Sequence, residues 1–281
     1  MEPVPAPMHP LLGGLDRAAA YFNDLPLWKR TGRVWGQAMA SPTFERWLYL
    51  RAHQLGLMGR AERRFLERFI RPGMRILDVG SNLGLYSILM ARRTGPGGSV
   101  LCFEPDPVLC GTLRLNQRLN HLANLEVHEL AVGSAAAELV LHRSIVNTGD
   151  NHLGRADSAL FRRSVTIRVV RLDEQMPGLA VDFIKIDVQG WELEAMQGMT
   201  GILRANPEVS VLFEFSQIGR ARAGHSGEDL IAFLRAHGFR IFDPANSREL
   251  DDPAIGHLAK RLAAAGYTNL LAARQPPHPG P

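Results

Sequence analysis

Two glycines and two acids at fixed spacing form the most informative part of the chain. Asp78, Gly80 and Gly84 lie where an apolar run ends and an amphipathic helix begins. Glycine lets the backbone approach a ligand closely, and the start of a helix presents free N–H groups. Twenty residues beyond Gly84, a second apolar run ends in Glu104, whose carboxylate can accept hydrogen bonds from both hydroxyls of a ribose. The pattern favours a ligand that contains a nucleoside.

The spacing within this glycine loop distinguishes between nucleoside ligands. A dinucleotide-binding loop has three glycines in the order G-x-G-x-x-G, which brings the backbone against a pyrophosphate. Here three residues separate Gly80 from Gly84, Asn82 lies between them, and Asp78 precedes the turn. Asp78 would repel a pyrophosphate but can bind an ammonium group. The loop therefore favours S-adenosyl-L-methionine over NAD, and a turn whose glycines serve packing alone is the structural alternative.

A second acidic segment lies at the end of the strand predicted over residues 181–187. Lys185 and Asp187 are two residues apart, so they share one face of that strand. Ionised groups inside a sheet are costly unless they are paired or take part in function. Gly190 permits a sharp turn, and Glu192 opens the next helix. Two interpretations stay open. One is a catalytic site; the other is a structural role, in which Lys185 pairs with a carboxylate and Glu192 is an N-terminal acid favoured by the helix dipole.

Three segments together resemble the FkbM-type S-adenosylmethionine-dependent methyltransferases, namely residues 78–87, 103–107 and 183–192. The resemblance extends over about residues 73–273, and its most specific part is K-I-D-V-Q-G-W-E. It implies an α/β fold of the Rossmann-like class I methyltransferase type. Such a fold has a seven-stranded, mostly parallel sheet with helices on both faces, here joined by an N-terminal helical extension. The resemblance also implies O-methylation of a hydroxyl on a natural product, sugar or glycolipid.

The resemblance implies a set of cofactor-binding residues for S-adenosyl-L-methionine. They are Asp78, Gly80, Ser81, Asn82, Gly84, Glu104, Pro105, Asp106, Ala131 and Asp187. The glycine loop would lie along the methionine part, and Glu104 would hold the ribose. Asp106 and Ala131 would border the adenine, and Asp187 would lie close to the sulfonium.

A hydroxyl acceptor is a weak nucleophile, so a general base within hydrogen-bond reach would assist the transfer. The candidate catalytic residues are Asp187, Glu192, Glu214, His152 and Lys185. Lys185 can serve only if its surroundings lower its pKa. Asp150, Asp187 and Glu214 could converge on a divalent ion, but no metal-ligand spacing is visible and no metal is predicted.

Other functions stay open at this stage. One alternative is N- or C-methylation of a small-molecule or peptide acceptor. Another is a catalytically silent module that binds the cofactor or a partner. A nicotinamide-dependent dehydrogenase is disfavoured because the dinucleotide spacing is absent.

The order of apolar patterns predicts how the chain is organised. Short β-branched runs alternate with helical runs after Pro72, which predicts a parallel, doubly wound sheet. The methyltransferase domain is predicted over residues 72–274, with an insertion at 135–172. Apolar residues at three- and four-residue spacing predict a helical extension or cap over 15–71. The proline-rich ends, residues 1–14 and 275–281, are predicted to be disordered.

Composition restricts the partners of the 281-residue chain. Thirty-two basic and 28 acidic residues give a net charge of +4, and no block of five Lys or Arg residues occurs, so nucleic-acid binding is not predicted. Cys102 and Cys110 are expected to be reduced thiols. No apolar run is long enough to span a membrane and no secretory signal is visible, so we expect a cytoplasmic protein. Its partner would be a small-molecule acceptor, and homo-oligomerisation stays open.

Overall fold

The computed structural model describes residues 30–144, 152–153, 161–216, 224–262 and 266–277. Its strands, in chain order, are β1 (Arg30–Val34), β2 (Gln37–Ser41), β3 (Arg75–Val79), β4 (Ser99–Phe103), β5 (Leu125–His128), β6 (Ala131–Val132), β7 (Ala137–Ser144), β8 (His152–Leu153), β9 (Phe161–Val170), β10 (Phe183–Ile186), β11 (Ser210–Ser216), β12 (Arg240–Phe242) and β13 (Tyr267–Ala273). Its helices are α1 (Phe44–Gln54), α2 (Arg60–Phe69), α3 (Leu85–Thr94), α4 (Pro107–Leu119), α5 (Leu172–Gln175), α6 (Glu192–Gln197), α7 (Thr200–Ala205), α8 (Gly227–Ala236) and α9 (Asp252–Leu262).

Seven strands form the central sheet, in the order β12-β13-β11-β10-β3-β4-β5. Strands β11, β10, β3, β4 and β5 run parallel to one another, and β13 runs antiparallel to both of its neighbours. The order reverses at β3 and β10, where a doubly wound sheet opens its ligand crevice. The predicted Rossmann-like fold with a seven-stranded, mostly parallel sheet is thus confirmed.

Alternation along the strands divides the apolar core into two layers. Ile184 and Ile186 of β10 pack on one face of the sheet with residues from α6 to α9. Phe183 of the same strand points to the other face, where residues of α2, α3 and α4 cover it. Successive side chains of a strand point to opposite faces. Buried apolar residues on both faces therefore require helices on both sides, as the resemblance implied.

A second, four-stranded sheet has the order β6-β9-β7-β8. Within the predicted insertion, the β-like runs 138–142 and 165–171 predict two strands, and they lie largely in its antiparallel pair, β7 and β9. One sequence-based expectation is wrong here. The apolar run over 125–132 predicts a single strand, but the chain leaves the central sheet after His128, and Ala131–Val132 pairs with β9 instead.

The helical prediction for the N-terminal extension is only partly correct. Helices α1 and α2 form where the apolar spacing predicted them, but residues 30–41 form the antiparallel hairpin β1–β2. Trp35 and Gly36 make its two-residue turn, both at positive φ. The indole N–H of Trp35 donates to the carbonyl of His53, so contacts with α1 hold an unusual turn residue in place. The residues predicted helical before 30 lie outside the described part, and the domain limits stay predictions.

Candidate active site

A cleft opens at the carboxyl edge of the central sheet. Gly80 and Asn82 follow β3, Glu104 follows β4, and Asp187 follows β10, and all four line the cleft. Carboxyl ends of neighbouring parallel strands meet at one edge, so three chain segments more than twenty residues apart come together. Pro105 and Ala131 also line this cleft.

The glycine loop is fixed by close packing as well as by backbone conformation. Gly80 has φ 83° and Gly84 has φ 89°, in the left-handed region that favours glycine. A Cβ on Gly80 would overlap the carbonyl oxygen of Asp187, and one on Gly84 would overlap the side chain of Leu113. Asn82, at φ 55°, is held by a hydrogen bond from its backbone N–H to Glu104 Oε2, 2.8 Å long. Packing alone therefore accounts for both glycines.

Glu104 is buried between the loop and the next helix. Besides the bond from Asn82, its Oε1 accepts the backbone N–H of Asp106 at 2.9 Å. Burial raises the pKa of Glu104 to about 7, although the two backbone hydrogen bonds act in the opposite direction. Asp106 itself caps α4 by accepting the N–H of Val108 at 2.8 Å.

A smaller cavity adjoins the cleft beside Asp78, Ser81 and Lys185. Asp78 Oδ2 accepts the hydroxyl of Ser87 at 2.5 Å. Asp78 Oδ1 is buried and has no hydrogen-bond partner among the residues that the structure describes. Burial raises the pKa of Asp78. An unpartnered buried carboxylate oxygen is costly without a donor, so this cavity suits a cationic group.

Lys185 forms the centre of a buried charge cluster. Its Nζ lies 3.1 Å from Asp187 Oδ2 and 3.6 Å from Glu62 Oε1, the latter contributed by α2. Burial acts to lower the pKa of Lys185, but Asp187, Glu62 and Asp78 outweigh it and raise that pKa above its ordinary value. Lys185 is therefore charged at neutral pH and unsuited to accept a proton.

Asp187 is joined to Glu214 through Gln189. The amide nitrogen of Gln189 donates to Asp187 Oδ1 at 3.0 Å and to Glu214 Oε2 at 3.3 Å. Burial, together with the negative charges of Asp187 and Glu192, raises the pKa of Glu214 to about 9. Glu214 therefore keeps its proton to higher pH than an ordinary carboxyl group, and in that form it can donate a hydrogen bond into the cleft.

Glu192 holds the turn that follows β10. Its Oε1 accepts the backbone N–H groups of Val188 and Gly190, at 3.2 and 3.1 Å. Burial raises the pKa of Glu192 to about 7. Its described contacts are with the backbone, and its side chain is not among those lining the cleft.

The N-terminal helices supply a wall of the cleft, and the residues of that wall were not among the predicted site residues. Tyr49, His53 and Glu62 line the cleft, together with Tyr86 of α3. His53 Nδ1 lies 2.9 Å from the carbonyl of Tyr49, and its Nε2 lies 3.4 Å from the hydroxyl of Tyr86. Burial lowers the pKa of His53, so its ring is neutral at pH 7. For His53, the sequence offered only one signal of a role in the site: a polar residue on the apolar face of a predicted helix.

The sequence-predicted residues divide into three groups. Those lining the cleft are Gly80, Asn82, Glu104, Pro105, Ala131, Asp187 and Glu214, and those lining the smaller cavity include Asp78, Ser81 and Lys185. Gly84, Asp106 and Glu192 lie behind these walls, in the structural contacts described above. The side chain of His152 and all of Asp150 lie outside the described part. Within that part, no group of three or more His, Cys, Asp or Glu residues could hold a metal ion.

Comparison with known proteins identifies the family. The family model for the methyltransferase FkbM domain matches residues 78–241, more than half of the chain. The chain belongs to the FkbM methyltransferase family. Methyltransferase 1 of Beauveria bassiana is 26% identical over 144 residues, which cover 44% of this chain and 57% of the relative. Hexuronic acid methyltransferase AglP of Haloferax volcanii is 28% identical over 133 residues, which cover 46% of this chain and 51% of the relative.

This chain therefore spans little more than half the length of these two curated relatives. A solved TehB-like SAM-dependent methyltransferase from Corynebacterium glutamicum covers 82% of this chain and 95% of its own, with a TM-score of 0.46 and 13% identity. No helix among the described residues is long and apolar enough to cross a membrane.

The residues of this FkbM domain fit S-adenosyl-L-methionine, the cofactor of the family. Asp78 offers a buried, unpartnered oxygen suited to an ammonium group. Each oxygen of Glu104 accepts one backbone N–H and keeps capacity for a hydroxyl donor. Trp191 lines the same cleft, and its buried indole N–H has no partner among the described residues, so it can donate to a bound ligand.

Proposed function

We propose that this protein methylates a hydroxyl oxygen of a small-molecule acceptor, a sugar or another natural product. The observation that carries the proposal is that one cleft joins the glycine loop and Glu104 to a wall from the N-terminal helices. When bound, the cofactor supplies a methyl group on positively charged sulfur, which is intrinsically reactive towards a nucleophile. The relative named as a hexuronic acid methyltransferase supports a sugar as the acceptor.

The charge states of the cleft restrict which residue can accept the hydroxyl proton. Lys185 is already protonated, and the pKa of Glu214 is raised to about 9. Glu192 is occupied by two backbone N–H groups. Glu104 likewise accepts two backbone N–H groups, and burial raises the pKa of Glu62. We weigh two further candidates in the cleft: Asp187, which accepts bonds from Lys185 and Gln189, and His53.

His53 has the geometry of a general base. If its Nδ1–H donates to the carbonyl of Tyr49, that bond fixes the tautomer and leaves Nε2 as a proton acceptor. Its lowered pKa keeps the ring neutral at pH 7. We therefore assign the proton transfer to His53 Nε2, and the orientation of the reacting groups to Asp187, which Lys185 and Gln189 hold in place.

The position of the transferred methyl group tests the proposed function. The protein is incubated with methyl-labelled S-adenosylmethionine and a panel of sugars, uronic acids and hydroxylated natural products. Product NMR then shows whether the label is bonded to oxygen. A label on nitrogen or carbon in every product contradicts the proposal, as does a protein that binds the cofactor and labels none of them.

The pH dependence of the chemical step tests the role of His53. In the wild-type protein the rate should rise with pH through one ionisation below about 6.5 and then level off, because the base must be deprotonated. His53→Gln should lose this step and about 10²-fold or more in rate. His237→Gln is the matched control, because His237 Nδ1 also lies close to a backbone carbonyl four residues earlier but His237 does not line the cleft. Equal effects of the two changes would rule out His53 as the base.

A further inference from the structure

The loop between α1 and α2 exposes large aliphatic side chains. Leu55 is 61% exposed, Leu57 is 76% exposed and Met58 is 42% exposed. Single exposed apolar residues are ordinary, but three within four consecutive residues form a cluster. No aromatic side chain is exposed between residues 44 and 71. This composition differs from that of protein–protein interfaces, which are enriched in aromatic residues.

Arginines surround this loop. Every exposed charged side chain between residues 44 and 71 is an arginine, namely Arg51, Arg60, Arg64, Arg68 and Arg71. Arg60, Arg64 and Arg68 are spaced four residues apart and so share one face of α2. The guanidinium of Arg60 lies against Gly56, so the basic stripe is continuous with the aliphatic loop. We call the set Leu55, Leu57, Met58, Arg60, Arg64 and Arg68 the basic-apolar face.

The basic-apolar face borders the mouth of the cleft. Met58 and Gly59 line the cleft itself, and Glu62, one turn further along α2, reaches the charge cluster around Lys185. Tyr267 also lines the cleft and is 57% exposed. A ligand that leaves the cleft past Met58 therefore meets aliphatic side chains first and arginines next.

We propose that the basic-apolar face docks on an anionic lipid surface, and that the methylated hydroxyl belongs to a lipid-anchored acceptor. Leucine and methionine side chains can insert to the depth of the headgroups, while guanidinium groups pair with lipid phosphates. The cleft mouth then lies at the bilayer surface, where a sugar on a lipid anchor can enter. This inference rests on the proposed function, because it names the substrate class of the same cleft.

Vesicle binding tests the docking surface directly. The full chain is sedimented with vesicles of phosphatidylcholine alone, and with vesicles of equal parts phosphatidylcholine and phosphatidylglycerol. We expect binding only to the anionic vesicles, and binding that falls as salt is raised because exposed charges are screened. Arg60→Glu and Arg64→Glu should each weaken binding about fivefold or more, and Leu57→Asp should weaken it similarly.

Matched controls are available elsewhere on the molecule. Arg93→Glu, on α3, is the control for the two arginine variants, and Val140→Asp, on β7, is the control for Leu57→Asp. Both control positions are exposed, and both changes should leave vesicle binding unchanged. Equal losses for controls and test variants would overturn the proposal, as would equal binding to neutral vesicles or no binding to either kind. A dimer in solution that Leu57→Asp dissociates would assign the face to a second copy instead.

Cofactor affinity, measured by calorimetry on the same preparations, separates the two proposals. If vesicles fail to bind while S-adenosylmethionine binds and free sugars are methylated, docking is wrong and the proposed function stands. If neither the cofactor nor any methyl transfer is detected, the proposed function itself fails.

Discussion

Gly80 shows how a residue typical of ligand loops can be required by the fold itself. A side chain at this position would overlap the carbonyl oxygen of Asp187. Gly80→Ala should therefore lower the free energy of unfolding by about 1–3 kcal/mol, since strain and overpacking both act against it. Gly73→Ala is the control, because Gly73 has φ 84° but nothing lies within 4 Å of its Cβ position. Urea unfolding of both variants measures the difference, and equal losses would show that φ alone matters.

Glu62 is the residue through which α2 reaches the charge cluster. Three carboxylates surround Lys185 there, so a cationic ligand improves the charge balance. Glu62→Gln should weaken binding of S-adenosylmethionine about tenfold but leave S-adenosylhomocysteine, which lacks the sulfonium charge, much less affected. Glu67→Gln is the control, since Glu67 pairs with Arg63 on the outer side of the same helix. Calorimetry with both ligands measures the effect, and equal losses for the two ligands would contradict this electrostatic role.

At the scale of elements, one asparagine of α4 and the asparagine that caps its C-terminal end attach the N-terminal hairpin to the domain. Asn116 Oδ1 accepts the N–H of Ala40 at 2.6 Å, and its amide nitrogen donates to the carbonyl of Leu83 at 2.7 Å. Asn120 makes two similar bonds to the backbone of Ala38. These two side chains thus form hydrogen bonds with the backbone of β2, on the edge where a third strand would otherwise pair.

Asn116→Ala should lower the free energy of unfolding by about 1–3 kcal/mol, because it leaves buried backbone groups without partners. Asn120→Ala should cost less, since Asn120 is only partly buried and water can replace its bonds. Thermal unfolding of both variants shows which one loses more stability. A smaller loss for Asn116→Ala than for Asn120→Ala would contradict the importance of the buried hydrogen bonds of Asn116.

The sequence predicted the central sheet well because its strands carry local signals. β3, β10 and β11 are apolar runs bounded by turns, and the strand predicted over 181–187 is confirmed as β10. The hairpin β1–β2 carried no such signal: the turn Trp35-Gly36 is stabilised by His53, eighteen residues away from Trp35. Long-range contacts of this kind leave no periodicity in the sequence.

The same reasoning explains which site residues could be predicted. Asp78, Glu104 and Asp187 end strands, so their place at the sheet edge follows from the topology. His53 and Glu62 reach the cleft only because α1 and α2 fold over it, and nothing local in their sequence indicates that contact.

At the scale of the whole molecule, buried carboxyl groups make stability depend on pH. Glu104, Glu192 and Glu214 all have a raised pKa in the folded protein, because burial disfavours their charged form. The folded state therefore binds more protons than the unfolded state above about pH 4.3. The free energy of unfolding should therefore fall as pH rises from about 4.3 to about 9.

Glu214→Gln tests the upper part of this window. Above pH 8 only Glu214 of the three is still largely protonated, so the variant should lose less stability than the wild type between pH 7 and 9. Glu208→Gln, an exposed change, should keep the wild-type slope. Chemical denaturation of the cofactor-free protein across this range measures both slopes, and an unchanged slope in Glu214→Gln would contradict the assignment.

The place of β13 in the sheet has a consequence for synthesis on the ribosome. β13 enters between β11 and β12, although both precede it along the chain. A nascent chain that has not yet reached Tyr267 therefore presents the outer edge of β11 without a partner, and open apolar edges promote aggregation. Tyr267 and Asn269 also line the cleft, so this strand closes the sheet and completes the cleft in one event. A nascent chain thus completes its cleft only when β13 covers the edge of β11.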